Sequence, residues 1–171
     1  MPRAVAALAL VVVVVLGGIA AYYFLYEGAV AVSVKDAPMS TWSHVNVTFS
    51  GVQIHESGKD NASWVTVFSG SKTVDLAALT NVSELLGSTR LAPGHYEQIR
   101  ISVVSATGVD AATGQSVTFM VPPDNATAKI AGQFTISSGQ TTTVTVDFAL
   151  SRCIRQVNGT WEFDPVLGQI A

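Results

Sequence analysis

One cysteine, Cys153, stands alone in 171 residues, so no intrachain disulfide can form and stability has to come from burial, sugars or assembly. A small buried apolar role fits it better than a reactive or interchain thiol. Charge is scarce too. Asp, Glu, Lys and Arg make up 12% of the chain, about half the usual share, and the formal net charge is −3. The basic footprint of a nucleic-acid binder is therefore absent. No run of like charge forms an interaction tail, and no long helix is available for a nucleotide-binding βαβ unit. Without a GxSxG elbow, a Gly-rich phosphate loop or a catalytic cysteine context, the chain reads as a non-enzyme.

Asparagine is missing everywhere except in one context. All five, Asn46, Asn61, Asn81, Asn125 and Asn158, lie two positions before a Ser or Thr, with no proline between. Ser and Thr total 32 of 171 residues, so five sequons from five asparagines would arise by chance roughly a few times in ten thousand. The pattern points to N-linked glycans and hence to export. RQVNGTWEF carries a second meaning, because Asn158-Gly159 is also a strong hairpin turn signal.

Export has its own segment. From Ala4 to Tyr26 the chain reads AVAALALVVVVVLGGIAAYYFLY without a charge, long enough as a helix to cross a roughly 30 Å hydrocarbon layer. Arg3 before it and Glu27 after it place the amino end in the cytoplasm and the rest outside. Tyr22, Tyr23, Phe24 and Tyr26 gather where an interfacial aromatic belt would sit. A competing reading is a cleaved signal peptide: Ala4 to Leu16 makes an apolar h-region, and Gly18-Ile19-Ala20 offers small residues for cleavage after Ala20. Residues 1–27 are thus a membrane anchor or signal segment, and 28–171 an extracytoplasmic domain.

Beyond Glu27 the periodicity becomes alternating. Val30, Val32 and Val34 share one strand face and Val45, Val47 and Phe49 another, with Asn46 and Thr48 pointing away from the core. Further runs are WVTVF from Trp64, KTVDL from Lys72, YEQIRISVV from Tyr96, SVTFMV from Ser116, KIAGQFTI from Lys129, TTTVTVDFAL from Thr141, CIRQV from Cys153 and TWEF from Thr160. About ten short strands between Gly, Pro, Ser and Asp turns predict an all-β, antiparallel β-sandwich, Ig-like or prealbumin-like. LAALTNVSELLG, residues 76–87, has helical spacing and a terminal glycine, predicting one or two helical turns. Pro93-Gly94 in APGH suits a type II turn, and Pro38 in KDAP ends the first strand.

Chemistry-bearing residues are sparse. His44, His55 and His95 lack ligand spacing and read as turn or strand-face histidines. Asp36, Asp75, Asp147 and Asp164 lie near strand ends, where they could gather calcium, although without a DxDxDG run turn-capping is the better reading and neither metal nor cofactor is assigned. Trp42, Trp64, Trp161 and Tyr96 could form a sugar-stacking platform, with core or edge packing the better reading. Arg100, between Ile99 and Ile101, reads as a surface ladder charge.

GAVAVSVKDAP from Gly28, VQIH from Val52, the Trp64 strand, VDLAAL from Val74, LAPGHYEQIRI from Leu91, VDF from Val146 and FDPV from Phe163 together resemble the domain of unknown function 4382 family over about Gly28 to Val166. The resemblance implies exported archaeal or bacterial proteins with a β-sandwich fold and no established activity, and it supplies no catalytic residue. The expectation is a membrane-anchored, glycosylated, extracellular surface protein, archaeal in type, with envelope proteins, polysaccharide or copies of itself as partners. One alternative is a secreted filament subunit in which Val30, Val32 and Val34 form a strand donated to a neighbour. The other is a carbohydrate-binding module using the aromatics.

Overall fold

Valine alternating with small residues in GAVAVSVKD builds the strand at the centre of the domain. The computed structural model describes residues 2–36, 40–60 and 63–170, with side chains of the first helix described at 11–22 and 25–26. Strand β1 (Gly28–Asp36) has Val30, Val32 and Val34 at 0% exposure, and burying each stabilises the fold by roughly 1.5 kcal/mol or more. It lies between β4 (Glu84–Leu91) and β8 (Thr141–Phe148), and β11 (Leu167–Ile170) pairs with the far side of β8. The second sheet runs β3 (Trp64–Asp75), β2 (Trp42–Glu56), β5 (Gly94–Asp110). There β6 (Ser116–Phe119) pairs with the late part of β5 and β7 (Thr127–Ile136) with the early part. Strands β9 (Ile154–Val157) and β10 (Thr160–Phe163) form a separate hairpin after the short helix α2 (Leu150–Cys153). The domain is all-β, as expected.

The two sheets bury one core. Phe49 of β2 meets Phe148 of β8 edge to face across it, with centroids 5.6 Å apart, and Ile54, Ile99 and Ile101 are fully buried behind them. Bulges keep the long strands facing that core. In β2 the buried positions change from Val45, Val47 and Phe49 to Val52 and Ile54, and the register with both neighbours shifts between Phe49 and Gly51. In β5 Val104 is the extra residue, unpaired opposite Thr48 and Phe49, which is why a valine there is 58% exposed.

The structure corrects several expectations. Pairing is not antiparallel throughout: β1 and β8 run parallel, from Ala29 opposite Thr141 to Asp36 opposite Phe148. Six strands and a long stretch of chain separate the two, which frees them from the hairpin constraint that forces antiparallel neighbours. Residues 76–87 are not helical beyond a 3₁₀ turn at Leu76–Ala78. The glycine that looked like a helix C-cap sits inside β4 opposite Val32, where an added Cβ would lie 2.7 Å from the Cβ of Phe68. Gly87 is thus small so that β4 can approach β3. WVTVF and KTVDL are two halves of β3, with Gly70 at φ 151° between them, and β11 was not foreseen. Gly94 opens β5 without positive φ, so APGH is not a type II turn. Pro38 lies outside the described residues.

Helix α1 spans Pro2–Tyr26, 25 residues, and Tyr22 stacks on Tyr26 with centroids 4.6 Å apart. Its described apolar side chains, including Val13, Val14, Leu16 and Leu25, are exposed. Among the described residues, no helix is long and apolar enough to cross a membrane, side chains being described without a break only over residues 11–22.

Candidate functional site

Strand and turn geometry places the sequons. Asn46 points out of β2 between buried Val45 and Val47, in register with Asp75 and Thr107. Asn81 follows the 3₁₀ turn and is exposed. Asn125 ends a second 3₁₀ turn, Pro123–Asn125, where its Nδ2 donates to Asp164 Oδ2 at 3.5 Å and keeps a second hydrogen for substitution. Asn158 at φ 49° and Gly159 at φ 81° form the tight turn joining β9 to β10, both in the left-handed region that a type I′ hairpin turn requires. All four are exposed; Asn61 lies outside the described residues. A sugar on any of the four enters solvent without displacing a core side chain.

The other candidate residues do not converge. His44 Nδ1 donates to Asp75 Oδ2 at 2.6 Å on the surface, while His95 Nδ1 lies 3.0 Å from Thr135 Oγ1. His55 is buried and donates from Nε2 to the Asp60 carbonyl at 2.8 Å. Asp36 Oδ1 accepts from the Leu150 N–H, Asp75 Oδ1 from the Val45 N–H, and Asp164 faces Arg155, so three of the four aspartates have separate partners. Among the described residues no group of three or more His, Cys, Asp or Glu forms a metal site. The four aromatics do not gather on one exposed face. Trp42 is buried edge to face against Phe119 and Trp161, and Tyr96 is buried against Phe134. Trp64 lies apart, at the start of β3.

Cys153 is fully buried, its Sγ accepting the Val166 N–H at 3.2 Å. Burial pushes its thiol from 9.0 up to about 12, and the nearby Asp36 and Asp164 add to the rise. The folded protein should therefore react with iodoacetamide at pH 8 on the order of a thousandfold more slowly than the urea-unfolded chain, measured by mass shift over time. A folded value above the unfolded one means the thiol's contribution to stability is complete below pH 9.0 and is lost as pH rises toward 12.

One surface row was not foreseen. On the outer face of the second sheet Thr66, Gln53, Arg100 and Lys129 stand in direct register across β3, β2, β5 and β7. Gln53 Nε2 donates to Thr66 Oγ1 at 3.2 Å, Arg100 Nε donates to Gln53 Oε1 at 2.5 Å, and the guanidinium carbon lies 4.2 Å from the Trp64 ring centroid. Alternation with Ile99 and Ile101 identified Arg100 as outward-facing; nothing local in the sequence named its neighbours.

A family profile described as domain of unknown function (DUF4382) matches residues 27–165. The chain belongs to that family. In its LAPGHYEQIRI segment Tyr96 Oη donates to the Ala92 carbonyl at 2.9 Å, a tyrosine corner that ties the start of β5 back over Pro93-Gly94. Burial raises the Tyr96 phenol above its usual 10.0, and the Glu56 carboxylate adds to the rise. No curated protein matches this DUF4382 chain. Among solved structures it is similar to a leucine-rich repeat protein from Bacteroides thetaiotaomicron, at 14% identity and a TM-score of 0.29, covering 73% of this chain and 14% of that one. The DUF4382 chain thus spans a small part of that protein's length.

Proposed function

We propose that the chain is a membrane-anchored, N-glycosylated, extracellular surface protein, archaeal in type, whose Ig-like or prealbumin-like sandwich has a non-catalytic structural or interaction role in the cell envelope. The observation that carries this is the exposure of all four described sequon asparagines, spread over a strand face, two turns and a hairpin tip, in a chain with no asparagine elsewhere. The uncharged apolar run from Ala4 to Tyr26, flanked by Arg3 and Glu27 in the sequence, supports retention as an anchor with the domain outside. Glycans would hydrate a surface that has little charge and shield the edges of β3 and β4 from pairing with other chains. The test is the protein isolated from its native membranes. An intact amino-terminal segment in the carbonate-washed pellet, with sugar-bearing peptides at Asn46, Asn81, Asn125 or Asn158, is expected; unmodified peptides at all five sequons would sink the proposal.

A second reading, a filament subunit, is favoured by the position of β1. It is inserted between β4 and β8 and supplies three fully buried valines, so a neighbour's copy could occupy the same slot with the same main-chain hydrogen bonds. Cleavage after Ala20 would free AYYFLYEGAVAVSV for that exchange. A mature terminus at Ala21 in sheared extracellular filaments supports this reading over an anchor.

A further inference from the structure

Arg100 and Lys129 face each other directly across β5 and β7 on the outer face of the second sheet. Like charges opposed in this way weaken a sheet. The chain has 12 acidic residues against 9 basic ones, and Lys72 and Arg155 both have carboxylate partners. Among the described residues, Arg100 and Lys129 have none within ion-pair distance. The pair is nevertheless held in place. Gln53 fixes the Arg100 Nε, and Trp64 lies under the guanidinium at 4.2 Å and within 5.9 Å of Lys129 Nζ. This leaves the two terminal guanidinium nitrogens of Arg100, which make no hydrogen bond among the described residues, as a pre-oriented fork beside an ammonium.

The surroundings are mostly polar and hold one carboxylate, Glu97, whose Oε2 accepts from Ser57 Oγ at 3.0 Å and whose Oε1 lies 3.5 Å from His55 Nδ1. Ser102 Oγ and Thr127 Oγ1 pair at 2.9 Å on one side of the cations. On the other side a depression of about 450 Å³ runs past Glu97, Gln98, Ala131 and Gln133, and Gln133 also borders the next one, of about 510 Å³, lined by Ser57, His95, Tyr96, Phe134 and Thr135.

We propose that this face binds an acidic polysaccharide, with one carboxylate or sulfate group seated between Arg100 and Lys129 and the adjoining sugar rings lying along Gln98 and Gln133. A planar fork plus a point charge matches the oxygens of such a group. Two depressions sharing a residue suit a polymer better than a single ion. Gln98, Gln133, Ser57 and Thr135 bring amides and hydroxyls to them beside the rings of Tyr96 and Phe134, the mix of polar groups and ring faces that a sugar chain uses. A lipid headgroup fits less well: where the chain enters the domain, Gly28 pairs with Leu91 near the Gly94 end of β5, and Arg100 lies about 20 Å along that strand. This last point, and the setting in which the polymer is met, rest on the envelope reading; the contact chemistry does not.

The full-length chain in phosphatidylcholine nanodiscs can be titrated by calorimetry and tryptophan fluorescence with polygalacturonate and with dextran sulfate, uncharged dextran serving as the control. At least one polyanion should bind and perturb tryptophan emission while dextran does not, the polyanion that binds identifying carboxylate or sulfate as the anchor. Arg100→Gln and Lys129→Gln should each weaken binding by about tenfold. Arg100→Lys should recover only part of it, because the charge returns without the fork. Arg155→Gln, which alters a cation of the β9–β10 hairpin that lies outside this row and is paired with Glu162 and Asp164, should change affinity by less than about twofold. Circular dichroism confirms that each variant is folded. The proposal is overturned if neither polyanion binds at low salt. It is equally overturned if Arg155→Gln weakens binding as much as Arg100→Gln, or if only nanodiscs containing phosphatidylglycerol engage these residues. Because binding is read in vitro, it fails separately from the terminal and glycan measurements that test the envelope reading.

Discussion

Phe49→Ala should destabilise the domain by about 3–5 kcal/mol, seen as a lower urea midpoint in tryptophan fluorescence. Phe49 is fully buried in β2, just before the bulge, and its edge contact with Phe148 joins the second sheet to the first. Removing the ring takes away apolar burial and leaves a cavity that neither sheet can close by itself. The loss is a large share of the roughly 5–15 kcal/mol by which ordinary domains are stable. Val104→Ala provides the comparison. That valine is the exposed, unpaired residue of the β5 bulge, and its replacement should stay within about 0.5 kcal/mol of the parent. Equal effects for the two would contradict the assignment of which face of each strand meets the core.

Deleting residues 28–36 should abolish folding, and adding the peptide GAVAVSVKD should restore it. Without β1 the first sheet loses its middle strand: β4 loses its hydrogen-bonded neighbour, the inner edge of β8 is unpaired, and the burial of Val30, Val32 and Val34 is lost. At roughly 1.5–3 kcal/mol per valine, before any hydrogen bond is counted, the deficit is comparable to the whole stability of a domain. The measurement is circular dichroism and size-exclusion chromatography of the deleted chain in mild detergent, with and without peptide. A deleted chain that keeps native signal and ignores the peptide would remove the physical basis for strand exchange between copies. Recovery of the native spectrum, with one peptide bound per chain, would establish that the slot accepts a strand from outside.

Much of the fold was legible because it is local. Alternation in GAVAVSVKD, WVTVF and TTTVTVDF marked strands correctly, since the side-chain period of two depends only on the chain itself. The hairpin at Asn158-Gly159 was equally plain, because both residues accept positive φ at little cost. The errors came where a local signal had two physical meanings. Gly87 after SELL suggests a helix end to any local reading, yet the glycine is needed because Phe68 of another strand occupies the space its side chain would take. LAPGHY suggested a turn set by glycine, whereas the corner is held by the Tyr96 hydroxyl reaching back to Ala92. Splitting β3 in two at Ser69-Gly70-Ser71 mistook an irregularity within a strand for a turn between strands.

What the amino-acid sequence alone determined is the character of each segment: an uncharged helical run at one end, strands with a buried and a wet face after it, and asparagines confined to sequons. These follow from side-chain chemistry and spacing within a few residues. Which strands become neighbours is a different kind of fact. The parallel placement of β1 against β8, and the row that sets Thr66, Gln53, Arg100 and Lys129 side by side, depend on bulges in long strands and on contacts between segments far apart in the chain. Period two tells a residue which face it occupies, but register tells it whom it meets, and only the packed sheets decide register.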